Sequence, residues 1–134
     1  MAEKTEIEKL NILRKNNAES NAITKECIES ALILLMKEKP FSEISILEIT
    51  KRAGVGRSSY YRNYDSKEAI LEGHLDSIFA ETTLALQKFD PISQCKESWI
   101  TLLTITKTHA ADYKLLFEAG FGDKILNRFL SSFN

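Results

Sequence analysis

Arg57, Ser58, Ser59, Tyr61, Arg62 and Asn63 lie within seven consecutive positions, and Lys67 follows four positions later. This short segment concentrates hydroxyls, guanidinium groups, an amide and an ammonium. Donors of this kind suit the base edges and phosphate oxygens of a nucleic acid. An arginine can bond guanine O6 and N7 in a forked geometry, and serines let the backbone come close to a groove wall. Tyr61, through its hydroxyl, and Lys67, at the start of a helix, are placed to bond phosphates and fix register.

These groups work only if the backbone beneath them is held. Residues 57–63 give a helix of under two turns, too short to be stable alone because nucleation costs more than so few hydrogen bonds return. Val55, Tyr60 and Tyr64 are spaced to pack it against neighbouring helices. Ahead of it, Ser45 with Glu48 three residues on has capping-box spacing and opens a helix with Ile46, Ile49 and Ala53 facing inward. Gly54 stops that helix in a left-handed exit. A longer helix is predicted from about Asn21 or Thr24 to Lys37, with Ile23, Cys27, Ala31, Leu34 and Leu35 on its apolar face. Pro40 ends it, and Phe41 and Ile44 anchor the connecting loop. The layout is a helix-turn-helix with its second helix presented outward. Gly-x-Gly turns also join helices in many other proteins, and a Ser/Arg/Tyr helix can be an ordinary solvated surface.

The rest of the chain is helical in pattern. Asp65-Ser66-Lys67-Glu68 opens a long amphipathic helix with Ile70 or Leu71, Leu75, Ile78 or Phe79, Thr82, Leu86 and Phe89 on one stripe, broken at Asp90-Pro91. Another helix carries Cys95, Trp99, Leu102, Leu103 and Thr106. Tyr113, Leu116 and Phe117 lead to a stop at Gly120, and Asp123 starts a last helix bearing Ile125, Leu126, Phe129 and Leu130. No run alternates at period two, so the fold class is all-α: a three-helix helix-turn-helix domain followed by a partial helical regulatory domain. Three parts are expected: an N-terminal extension over 1–21, the helix-turn-helix over 22–68, and a helical regulatory or dimerisation region over 69–134. The extension has Ile7, Leu10 and Leu13 at helical spacing, interrupted at Asn16-Asn17 and Ser20-Asn21. It reads as a frayed helix on a neighbour, or as an arm placing Arg14 or Lys15 against DNA.

The 134 residues carry a net charge of −1, which is unequally shared. Residues 1–67 hold 12 Lys+Arg against 10 Asp+Glu, and residues 68–134 hold 6 against 9. From Lys51 to Lys67 five basic residues face Asp65 alone, a local +4. Local density, not the total, sets phosphate attraction. The apolar runs are too short to span a bilayer. The charged start Met1-Ala2-Glu3-Lys4 lacks a secretory pattern, so a cytoplasmic location is expected. Cys27 and Cys95 lack metal spacing and read as small buried hydrophobes in a reducing compartment. No metal or cofactor is implied. An enzyme lacks its parts: there is no Gly-rich phosphate loop, no paired metal ligands and no Ser/His/Asp context, and the two histidines are His74 and His109.

From roughly Ile23 to Leu71 the chain resembles the N-terminal DNA-binding domain of the TetR/AcrR family of bacterial transcriptional regulators. The matching residues are Phe41-Ser42-Glu43-Ile44-Ser45-Ile46, Ile49-Thr50-Lys51-Arg52-Ala53-Gly54-Val55-Gly56, Tyr60-Tyr61-Arg62-Asn63-Tyr64 and Ser66-Lys67-Glu68-Ala69-Ile70-Leu71. The resemblance implies a homodimer with two recognition helices in successive major grooves of a near-palindromic operator on double-stranded DNA. It implies base or groove contacts from Arg57, Ser58 and Ser59, and phosphate contacts from Ser45, Tyr61, Asn63 and Lys67. A repressor controlled by a small-molecule effector is the expected function, and Phe79, Trp99, His109, Tyr113 and Phe117 are the candidates to line its cavity. Each of these also reads as helix-packing core, and His109 as a charge partner near a helix end.

Two features depart from the family pattern. Gly56 stands where a Ser or Thr N-cap is usual, a loss of only a few tenths of a kcal/mol. The chain also ends after what resembles the seventh helix, which suggests a fragment or a short member that dimerises differently. The alternative function is a protein-interaction regulator whose C-terminal helices bind a protein partner.

Overall fold

In the computed structural model, which describes residues 5–132, Thr5 opens the first helix with a reciprocal cap. Its hydroxyl accepts the Glu8 N–H and the Glu8 carboxylate accepts the Thr5 N–H. Helix α1 then runs unbroken over Glu6–Met36. The charged start Met1-Ala2-Glu3-Lys4 lies outside the described residues. The expected start near Asn21 or Thr24 is therefore corrected, as is the interruption at Asn16-Asn17 and Ser20-Asn21. Asn and Ser each cost a helix less than about 0.7 kcal/mol, too little to stop one without a proline or glycine. Residues 5–17 are exposed, so this outer half projects instead of packing on a neighbour. It is continuous with the rest of α1 across residues 21 and 22.

The inner half of α1 buries a face turned from the one predicted, although Ala31 and Leu35 lie inside as expected. Ile28, Ala31, Leu32, Leu35 and Met36 are buried, whereas Ile23, Cys27 and Leu34 are exposed. Within an apolar run such as 31–36 the period allows several faces. The one that adds Ile28, Leu32 and Met36 buries more apolar surface. Cys95 is exposed as well, so neither cysteine is the small core residue expected.

A short 3-10 turn, Phe41–Glu43, leads to α2, Ile46–Ala53, and then α3, Arg57–Asn63. Next come α4, Lys67–Leu86; α5, Cys95–Thr108; α6, Ala110–Glu118; and α7, Gly122–Ser131. The last helix opens one residue ahead of the expected Asp123. Gly120, at φ +89°, stops α6 as its position predicted. The described residues hold no strand, and no helix among them is long and apolar enough to cross a membrane.

The core joins the first four helices to α6. Ile28 and Leu32 of α1 meet Ile44, Ile49 of α2, Tyr60 of α3, Ile70 and Leu71 of α4 and Leu116 of α6, all essentially without solvent contact. Burial thins beyond this point. Helices α5 and α7 contain no fully buried residue, and Trp99 is 57% exposed, so the tryptophan is neither core nor enclosed. Helix α7 is held to α4 by charge: Lys124 pairs with Glu72, and Arg128 pairs with Asp76 while lying over the Phe79 ring.

Candidate nucleic-acid interface

The N-terminus of α2 carries the capping box that the sequence predicts. Ser45 Oγ accepts the Glu48 N–H at 3.1 Å, and Glu48 accepts the Ser45 N–H at 2.9 Å. Glu48 also takes Lys39 as an ion partner, and that hydrogen bond, then the Ser45 N–H, holds its carboxyl below the usual range. At the other end, Arg52 reaches both carboxylate oxygens of Glu38, at 3.0 and 3.1 Å.

The turn depends on Gly54. Its φ of +71° lies in the left-handed region that only glycine adopts at no steric cost. There its N–H bonds Lys51 O and the Val55 N–H bonds Thr50 O. Gly56 then caps α3 in extended geometry without a side-chain bond.

Helix α3 is braced by tyrosines. Tyr60 is 0% exposed, with Tyr61 edge-on to its ring at 5.2 Å and Tyr64 at 6.1 Å between centroids. The Tyr60 hydroxyl is buried without a protein partner, and burial pushes its pKa up. Opposite this brace, Arg57, Ser58, Tyr61 and Arg62 are exposed, while Ser59 and Asn63 are half-buried. The Asn63 amide donates to Ser59 O at 2.8 Å, so one of its two N–H groups is already committed.

Lys67 sits less freely than the sequence suggests. Its Nζ donates to Phe41 O at 3.1 Å and Ile44 O at 2.8 Å, and lies 4.7 Å from the Phe41 ring centroid. Two of its three N–H bonds thus fasten the loop between α1 and α2, and one remains. Ile44 immediately precedes Ser45, so Lys67 and Ser45 meet at one corner of the molecule. The other five candidates share α3.

The proposed ligand residues divide. Phe79, Tyr113 and Phe117 line one open, largely apolar groove of about 990 Å³ between α4, α5, α6 and α7. Trp99 lines an adjoining groove of about 540 Å³ and shares Phe79 with the first. His109 lines neither. It stands at the junction of α5 and α6, with Nε2 2.8 Å from Glu81 Oε2, the charge-partner role also open to it. Sequence reading did not single out Glu29 and Asp112, which flank His74. They are 83 residues apart, and no local pattern pairs them.

Residues 29–73 match the family model of bacterial regulatory proteins, tetR family. Among curated proteins, the HTH-type transcriptional regulator EthR of Mycobacterium tuberculosis (strain ATCC 25618 / H37Rv) is 29% identical over 89 residues, covering 64% of this chain and 41% of that protein. EthR of Mycobacterium bovis (strain ATCC BAA-935 / AF2122/97) gives the same figures. The alignment therefore spans under half the length of these relatives. No solved structure matches at a significant level.

Proposed function

From a chain that belongs to the tetR family of bacterial regulatory proteins, we infer a sequence-specific DNA-binding transcriptional regulator acting as a repressor. The observation that carries this reading is α3. It is a seven-residue helix anchored by a fully buried tyrosine, and it turns Arg57, Ser58, Tyr61 and Arg62 to solvent beside a locally basic turn. Arg57, Ser58 and Ser59 read base edges. Ser45, Tyr61, Asn63 and the remaining N–H of Lys67 hold phosphates. Two copies present two such helices to a near-palindromic operator, and a small apolar effector occupies the groove floored by Phe79.

Arg57→Ala tests the assignment. Arg57 has no ion-pair partner among the described residues, so its loss leaves the fold intact. It is expected to cost about 1–3 kcal/mol at one base pair per half-site, measured by competition between the operator and single-base variants. The operator itself is sought by footprinting the DNA that flanks the coding region. Equal loss on operator and random DNA would remove Arg57 from base reading.

A second reading has its own support. Trp99, Ile100, Leu103 and Leu126 leave apolar surface on α5 and α7 open to solvent, as a protein-binding regulator requires. Salt separates the two: DNA binding weakens steeply as counterions return to the phosphates, and an apolar protein interface does not.

A further inference from the structure

Four helices meet at one chain of polar groups. Tyr64, the residue that ends α3, donates its hydroxyl to Glu29 Oε1 of α1 at 3.1 Å. The other Glu29 oxygen, Oε2, faces His74 Nδ1 of α4 at 3.6 Å. On the far side of the ring, His74 Nε2 lies 3.0 Å from Asp112 Oδ2 of α6. Asp112 is followed by Tyr113, which lines the large groove. All four side chains are largely shielded from solvent. The backbone makes room for them: a Cβ on Gly73 would sit 3.2 Å from Glu29 Oε1 and 3.7 Å from the Tyr64 ring. Glycine is unfavourable inside a helix, and here its lack of a side chain admits the Glu29 carboxylate.

Resting on the reading of α3 as a DNA-binding helix, we propose that His74 is a proton-operated clamp joining the groove-lining helix α6 to the exit of the recognition helix. A neutral imidazole has one N–H, so between two carboxylates it must turn a lone pair toward one of them. Only the doubly protonated ring satisfies both sides. The titratable groups facing it from the packed elements are Glu29 on α1 and Asp112 on α6, with Tyr64 joined through Glu29. The neighbouring Glu29 carboxylate raises the His74 pKa, burial opposes it, and Asp112 adds to the rise. Burial, then the Glu29 charge, pushes the Tyr64 phenol well above its ordinary range, so Tyr64 stays a donor while His74 titrates. A histidine raised on folding contributes fully below its unfolded pKa of about 6.5, and that contribution is lost as pH rises through the folded value. The clamp is therefore closed below about pH 6.5 and opens as pH rises through the raised folded value. Opening frees α6 and the α3 exit from one another and lowers DNA affinity.

The test follows the His74 ring proton by NMR across pH in the full chain, together with the amides of residues 57–64 and 110–117. The expected midpoint lies above about 6.5, both amide sets move with it, and Glu29→Gln and Asp112→Asn each lower it. In His74→Gln the amide response disappears. DNA affinity of the wild type falls about fivefold through the same midpoint, and that of His74→Gln stays flat. A midpoint at or below the ordinary value, or amides near Tyr64 that ignore it, overturns the clamp. Should His74→Gln fail to fold, the midpoints in Glu29→Gln and Asp112→Asn carry the test. Coupled amides in a chain that binds no DNA at any pH would leave the clamp standing and sink the function proposed above.

Discussion

Tyr60→Ala is expected to destabilise the chain by about 3–5 kcal/mol, the cost of deleting a fully buried aromatic ring, and to abolish DNA binding. Tyr60 has no solvent exposure and contacts the rings of Tyr61 and Tyr64. Helix α3 spans only Arg57–Asn63 and has no side-chain cap at Gly56. A helix of this length owes its existence to tertiary contacts, so removing its anchor releases the very segment that presents Arg57 and Ser58. Tyr60→Phe should act in the opposite direction. The hydroxyl is buried with no partner, and an unmet donor costs about 1–3 kcal/mol, so deleting it while keeping the ring should raise stability by about 1 kcal/mol. Urea denaturation measures both effects, and operator binding by Tyr60→Phe should match the wild type. A loss of stability in Tyr60→Phe would mean that its hydroxyl meets an ordered partner.

The sequence made α2, the turn and α3 legible because each is signalled locally. Ser45 and Glu48 are three residues apart, Gly54 marks the left-handed exit, and Tyr60 and Tyr64 sit at helical spacing. The same holds for the stop at Gly120. What escaped depends on partners distant in the chain. The buried angle of α1 is chosen by Ile44, Ile49, Tyr60 and Leu116, so periodicity within 31–36 could not separate Leu34, which is exposed, from Leu32, which is buried. Asn16-Asn17 looked like a break because a polar pair ends an apolar stripe. A solvent-facing helix needs no stripe, and the Thr5–Glu8 cap starts it far upstream. Among the candidate ligand residues, Phe79, Tyr113 and Phe117 converge on one groove, whereas His109 pairs with Glu81. The aromatic character of the first three was readable, but the helix crossing that brings them together was not. The meeting of Glu29, His74 and Asp112 is of the same non-local kind.

Lys67→Ala should produce two separable losses. The first is stability. Lys67 supplies charge-assisted donors to Phe41 O and Ile44 O and covers the Phe41 ring. Hydrogen bonds to a charged group are worth about 1.5–3 kcal/mol; the side chain is half-buried, so water recovers part of that, and a loss of about 2 kcal/mol is expected. The disturbance should spread, because Phe41 packs edge-on against Phe121 at 6.3 Å, and Phe121 precedes α7. The second loss is a phosphate contact from the third N–H. It should weaken binding alike on every DNA sequence and reduce the salt slope by roughly one unit. Denaturation reads the first and salt-dependent binding the second, each on the same purified variant. A lowered denaturation midpoint with the salt slope unchanged would make Lys67 a fastener of the Phe41–Ile44 loop alone. A changed slope with no loss of stability would mean that water serves those two carbonyls as well as the lysine does.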